Sequence, residues 1–195
     1  MHTRQHILEA TERVLQSKGL ARATTKEIAR EARCAEGTLY KHFHDKEDIF
    51  LAVIQEHLPD FVLKVSEEDA GKRSLNASLQ EIALAAIRYY EQLIPLTVSL
   101  FADSELIERH RMWMQEQNTG PQRIYERVTA YIEAEQRLGR IADSLDAFSV
   151  ASLLLGPCFQ YAFLRYFTGA EPFRFSGAQF MVDIVTTLAK GLEQS

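Results

Sequence analysis

The chain is poor in the residues that hold small β-rich or secreted proteins together. It has two cysteines in 195 residues, Cys34 and Cys158, 124 positions apart, with no C-x-x-C and no Cys/His pair at zinc spacing. That excludes a disulfide framework and a thiolate metal site, and it reads as two reduced, structural thiols of a cytoplasmic protein. Nine glycines and five prolines are too few for a fold built on tight turns. No segment keeps a strand-like alternation, and there is no internal repeat or low-complexity tract. Paired carboxylates at a recognisable spacing, G-x-S-x-G, a phosphate-binding glycine loop and H-E-x-x-H are all missing. The expectation is therefore a protein that is not an enzyme and carries no cofactor or metal. The opening MHTRQHILEATERV lacks the apolar run of a signal peptide.

What the chain does have is a hydrophobic content of 46% and a charged content of 25%, enough for a folded protein with a sizeable core. Its net charge of −5 at first argues against nucleic acid as a partner. The average hides two unlike parts. Residues 1–46 carry 9 Lys+Arg against 6 Asp+Glu, a balance of +3, with four histidines besides, whereas residues 47–195 carry 13 against 21, a balance of −8. A mildly basic head on an acidic body allows DNA to approach one end only.

The apolar period is helical almost throughout. Ile7, Ala10, Val14 and Leu15 make the stripe of a first helix, with Gly19 placed as its left-handed stop. Thr24 to Glu27 reads as a capping box opening a short helix with Ile28, Ala29 and Ala32 inside. Leu39 and Phe43 mark a second short helix. Asp45 caps a longer one with Ile49, Phe50, Val53 and Ile54 on its stripe, which Pro59 is expected to kink or shorten. Further helices are expected at about 75–94, 95–102, 104–118, 121–138, 145–168 and 176–193, with Pro95 as one of the breaks. The expected fold is all-α with about nine helices. Residues 1–46 form a helix-turn-helix domain that continues into a linking helix over 46–65, and residues 66–195 form a second helical domain. The stretch Ala147–Leu164 has 18 uncharged residues, but its Ser149, Ser152, Gln160 and Gly156-Pro157 and its lack of basic flanks favour a buried helix over a membrane span.

The run Thr24–Lys46 has the form of a helix-turn-helix: a first helix to lie across the DNA backbone and a short second one to enter the major groove. With Leu39 and Phe43 facing inward, the opposite face presents Gly37, Thr38, Lys41 and His42, with Tyr40 to one side. That face has a hydroxyl, a phenol, a cation and an imidazole, and no carboxylate after Glu36. Gly37 permits close approach. Lys46, a cation in the first turn of the next helix, opposes the helix dipole, which suggests that it shares a phosphate with the helix amides. Thr24 and Lys26, at the start of the first helix, complete the contact set.

The segment IAREA…GTLYKHFHDKEDIF resembles the signature of the TetR family of bacterial transcriptional regulators, over roughly residues 5–54. The resemblance implies an all-helical homodimer whose N-terminal domains bind double-stranded DNA at a palindromic operator and whose C-terminal domain binds a small effector. It also implies DNA contacts at Thr25, Thr38, Tyr40, Lys41, His42 and Lys46. Two positions depart from the family pattern. Arg33 stands where glycine commonly ends the first helix, at a cost of about 1 kcal/mol if left-handed unless a phosphate contact offsets it. Ala35 stands where a serine cap is frequent, at a cost of ~1 kcal/mol.

The resemblance further implies a dimer interface made by helices 145–168 and 176–193, the former apolar nearly all round. An effector cavity would draw on Tyr89, Phe101, Met112, Trp113, Tyr125, Phe159 and Phe163, a lining suited to an apolar or aromatic molecule. Arg88, Arg109, His110 and Arg111 are the groups available to an anion. The expected function is a ligand-responsive repressor. The alternative is a DNA-binding activator, or a DNA-dependent protein-interaction factor that takes no small molecule.

Overall fold

The structure, a computed structural model, describes residues 4–19, 22–173 and 176–192, without the side chains of residues 16, 57–64 and 99. Among the described residues there are nine α-helices and no strand: α1 (Arg4–Lys18), α2 (Thr25–Glu31), α3 (Glu36–Leu39), α4 (Lys46–Lys64), α5 (Leu75–Phe101), α6 (Ser104–Glu116), α7 (Gln122–Arg137), α8 (Ala147–Thr168) and α9 (Gly177–Leu192). A 3-10 turn, Glu67–Asp69, sits between α4 and α5. The all-α expectation is met. Residue 193, the expected end of the last helix, lies outside the described residues.

The chain divides into two compact units that are not consecutive in sequence. The first comprises Met1–Pro59 and Leu93–Asn118, the second Asp60–Gln92 and Thr119–Ser195. In the first, α1, α2, α3 and the start of α4 close around Ile7, Ala10, Ile28, Ala32, Leu39 and Ile54, all at most 1% exposed, and Leu96, Leu100 and Leu106 belong to the same core. In the second, Leu79 and Ala83 of α5, Val128 and Ile132 of α7, Leu154 and Cys158 of α8 and Val185 of α9 are fully buried.

Local signals account for most helix ends. The Gly19 amide bonds to the Leu15 carbonyl at 2.8 Å with φ +71°, the left-handed stop expected of it. Asp103 caps α6 by accepting from the Glu105 and Leu106 amides, and Asp146 caps α8 by accepting from Ser149. Two proline readings are corrected. No break occurs at Pro95 and no separate helix spans 95–102, because α5 runs unbroken from Leu75 to Phe101. A proline inside a helix costs about 3 kcal/mol. Ile94, Leu96 and Leu100 are at most 4% exposed. Burying three such side chains is worth roughly 5–9 kcal/mol, and that outweighs the proline. Helix α4 continues past position 59 to Lys64, so Pro59 does not shorten it.

Helix α8 is long and apolar enough to cross a membrane by length and composition alone. Its Val150, Ala151, Leu154, Leu155, Cys158, Tyr161 and Ala162 are buried within the second unit, as in the core helix of a folded domain. Its other side is exposed: Phe148 (55%), Leu153 (62%) and Phe167 (76%) stand in solvent with Phe159, Phe163 and Tyr166.

Candidate nucleic-acid interface

The geometry at residues 24–46 begins with the capping box. The Thr24 side chain accepts from the Glu27 amide, and the Glu27 carboxylate accepts from the Thr24 amide at 3.2 Å. Lys18 also donates to Glu27. That lysine, together with the Thr24 bonds, holds the Glu27 carboxyl below its ordinary range despite the opposing effect of desolvation.

Helix α2 then ends in a Schellman motif. The Arg33 amide bonds to the Arg30 carbonyl at 3.1 Å and the Cys34 amide to the Ala29 carbonyl at 2.9 Å. Arg33 is the left-handed residue of that motif, with φ 51°. The turn keeps the geometry that glycine favours while carrying an exposed arginine. Ala35 leaves α3 without a side-chain cap. In its place Glu36, the only carboxylate of the short helix, accepts from Thr25 Oγ1. That bond ties α3 to α2 and draws the negative charge away from the open face.

Regular α3 is one turn long, and the chain continues to Phe43 in hydrogen-bonded turns, with the His42 and Phe43 amides donating to the Leu39 carbonyl. Leu39 is fully buried and Phe43 is 8% exposed, as the sequence spacing implied. Arg4 of α1 lies over the Phe43 ring at 5.3 Å. The opposite face holds Gly37, Tyr40, Lys41 and His42 exposed and Thr38 half-buried. Tyr40 is 54% exposed, too open to be a packing residue. Thr24, Lys26 and Arg33 are exposed on the same helix pair, and Thr25 is half-buried. Lys46 is half-buried and lies 3.7 Å from Glu47, so its charge is shared with a neighbouring carboxylate.

Sequence spacing gave no sign of the next contact. Arg109 of α6 reaches the start of α4, 3.3 Å from Asp45 Oδ2 and in contact with Asp48 Oδ1. Asp45 also caps α4 by accepting from the Asp48 amide at 2.7 Å, and Asp48 accepts from the His44 amide at 3.0 Å. Desolvation pushes the Asp45 carboxyl up, but the Asp48 amide and the Arg109 guanidinium prevail and hold it below the usual range. Arg109 is thus an internal tie and not a free group for an anionic ligand. His44, Asp45 and Asp48 have metal-ligand chemistry and lie close together, but this arginine and the helix cap already engage both aspartates.

The effector candidates fall into both units. Phe101 (76% exposed), Met112 (49% exposed) and Trp113 belong to the first. Trp113 stacks on His110 at 5.9 Å. His110 is buried, and desolvation pushes its imidazole below the ordinary range. In the second unit Tyr89 is buried beside Tyr90 at 5.4 Å, Tyr90 meets Phe159 edge-on at 5.4 Å, and Phe159 stacks on Phe163 at 6.2 Å. Tyr125 packs on Phe148 instead, at 5.9 Å. Of the groups considered for an anion, Arg111 pairs with Glu108 at 3.3 Å, and Arg88 is exposed with no carboxylate partner among the described residues.

Residues 7–53 match the family described as bacterial regulatory proteins, tetR family. The "Fatty acid metabolism regulator protein" of Bacillus subtilis is 26% identical over 87 residues, 45% of this chain and 43% of that protein. The chain thus matches less than half the length of that curated relative. Among solved structures, a TetR-family transcriptional regulator from Mesorhizobium loti has a TM-score of 0.79 at 22% identity, covering 98% of this chain and 96% of that one. SmeT, the repressor of the Stenotrophomonas maltophilia multidrug efflux pump SmeDEF, has a TM-score of 0.69 at 16% identity, covering 99% and 91%. At these identities the solved structures bear on the fold.

Proposed function

By its N-terminal domain the chain belongs to the TetR family of bacterial regulatory proteins, and from that premise we propose that it is a ligand-responsive transcriptional repressor acting in the cytoplasm. One observation carries the proposal. The exposed side of the second helix of the pair and the turn after it hold Gly37, Tyr40, Lys41 and His42, none of them in an ion pair among the described residues, on a base fixed by buried Leu39 and Phe43. A short helix with donors outward and its one acid turned aside suits major-groove docking. In this reading Thr38, Tyr40, Lys41 and His42 meet bases and nearby phosphates, while Thr24, Thr25, Lys26, Arg33 and Lys46 meet the backbone.

The protein acts as a homodimer on a palindromic operator. The exposed aromatic side of α8, flanked by α9, is the surface that a second copy covers. Two-fold symmetry then sets the two reading helices one helical turn of DNA apart, or a multiple of it. The effector is a small molecule with an apolar or aromatic body, in keeping with a relative named for fatty acid metabolism and a structural neighbour named as an efflux-pump repressor. It releases DNA by binding the non-operator conformation more tightly, with a coupling of about 1–3 kcal/mol.

Footprinting of the purified protein on the DNA upstream of its own coding region tests this. The expected result is two symmetric protected half-sites. Absence of protection at low salt overturns DNA regulation, and protection of a single half-site overturns the dimer.

A further inference from the structure

The second unit contains a crevice of about 310 Å³ that coincides with none of the aromatic effector candidates. One wall is a single face of α5, where Ser78, Ile82, Ala85 and Arg88 follow at helical spacing. Val65 lies across from it, and Tyr131 of α7 contributes to the lining. Ser78 hydrogen-bonds the Tyr131 side chain and closes one end, and Ala85 is the small residue of this face. Leucine in place of Ala85 would take up part of the crevice.

The chain segment before α5 is held in place by a buried network. Glu135 is fully buried. Its Oε1 accepts from the Tyr131 hydroxyl at 2.5 Å and from the Gly71 amide at 3.3 Å, and its Oε2 lies 3.3 Å from Arg140 Nη1. Arg140 Nη2 in turn donates to the Arg73 carbonyl at 2.5 Å. Burial first, and the Glu135 carboxylate second, push the Tyr131 phenol up to about 12, so this wall is neutral at any physiological pH. The rim charges are mostly satisfied: Lys72 pairs with Asp69 at 2.8 Å and Arg73 pairs with Glu81. Arg88 is the remaining cation of the lining and has no carboxylate partner among the described residues. An apolar strip of Val65, Ile82 and Ala85 beside a guanidinium that has no carboxylate partner among the described residues selects for charge and shape together.

We propose that this crevice is a binding site for a small organic anion with an apolar body, its acid group paired with Arg88 and its body against Val65, Ile82 and Ala85. The inference rests on the regulatory reading above only for its biological meaning, because binding is measured without DNA.

Isothermal titration calorimetry of the full chain with octanoate, octylamine and inorganic phosphate is the test. Octanoate is expected to bind one per chain. Arg88→Ala should weaken it tenfold or more, Arg88→Lys should recover part of that loss, and Ala85→Leu should abolish binding. Circular dichroism and the urea midpoint of each variant report whether it is folded. Octylamine and phosphate should bind at least tenfold more weakly than octanoate, one carrying the opposite charge and the other lacking the body. Failure of octanoate to bind at millimolar concentration overturns the site, as does octylamine binding equally well, or an Arg88→Ala protein that binds octanoate like the parent. Should footprinting fail while octanoate binds as described, the regulatory reading falls and the site stands.

Discussion

Arg33 allows backbone strain and DNA contact to be measured separately. Its φ of 51° places an L-residue with a full side chain in the left-handed region, at the C′ position of a complete Schellman motif. The left-handed conformation costs a non-glycine residue roughly 1–2 kcal/mol. Glycine removes that cost but adds about 0.5–1 kcal/mol of chain entropy to be lost on folding. The net expectation is that Arg33→Gly is about 0.5–1 kcal/mol more stable than Arg33→Ala. The alanine variant keeps the Cβ and lacks the charge, so the pair isolates the backbone. Urea unfolding gives the difference, as a shift in midpoint at constant slope. Affinity for DNA gives the second half of the answer. If the Arg33 guanidinium touches a phosphate, both variants lose DNA affinity equally and lower the salt slope by about 1. A glycine variant no more stable than the alanine one would refute the strain argument. Variants with the parent's salt dependence would refute the phosphate contact.

Three further outcomes follow from the same geometry. Thr24→Ala removes one side of the capping box and should cost ~1 kcal/mol in urea unfolding, with Glu27→Gln costing less because its amide oxygen can still accept. Asp45→Asn should be less stable than the parent at neutral pH. Because the native Asp45 carboxyl titrates below its unfolded value near ~3.9, that stability is present above this pH and is lost as the pH falls through the native value. The gap between the two unfolding curves should therefore be constant above about pH 5 and close below about pH 4. Gly71 has φ +78°, and a Cβ there would come 2.8 Å from Leu138 Cδ1. Gly71→Ala should accordingly cost at least ~1 kcal/mol by thermal or urea unfolding.

The reading unit was legible in the sequence because its signals are local. The capping box spans four residues and Leu39 and Phe43 are one turn apart, whereas the left-handed turn at Arg33 was left open, because the usual glycine is absent there. The structure reproduces the cap and the buried pair, and it settles the turn with Arg33 at φ 51°. Two kinds of feature were not legible. Pro95 is a strong local signal for a helix end, and it is overridden by buried side chains whose burial depends on tertiary packing. Arg109 meets Asp45 and Asp48 across 64 and 61 positions, and no periodicity links residues so far apart. On composition alone Arg109 is one more surface charge. The crevice beside Arg88 was hidden for a similar reason. Its lining joins residues of α5 to Val65 and to Tyr131, some fifty positions later, which only the fold brings together.

The interleaving of the two units bears on how such a protein can be recombined. A gene fusion that exchanges the first sixty codons for those of a relative looks like a clean swap of the reading head. Leu96, Leu100 and Leu106 belong to the same core as Ile7, Leu39 and Ile54, so the exchange divides that core between two parents. A chimera of this kind inherits a mismatched interior even when every groove-facing residue is intact. Compatibility at positions 96, 100 and 106 is then as much a condition for transplanting DNA specificity as the recognition residues themselves.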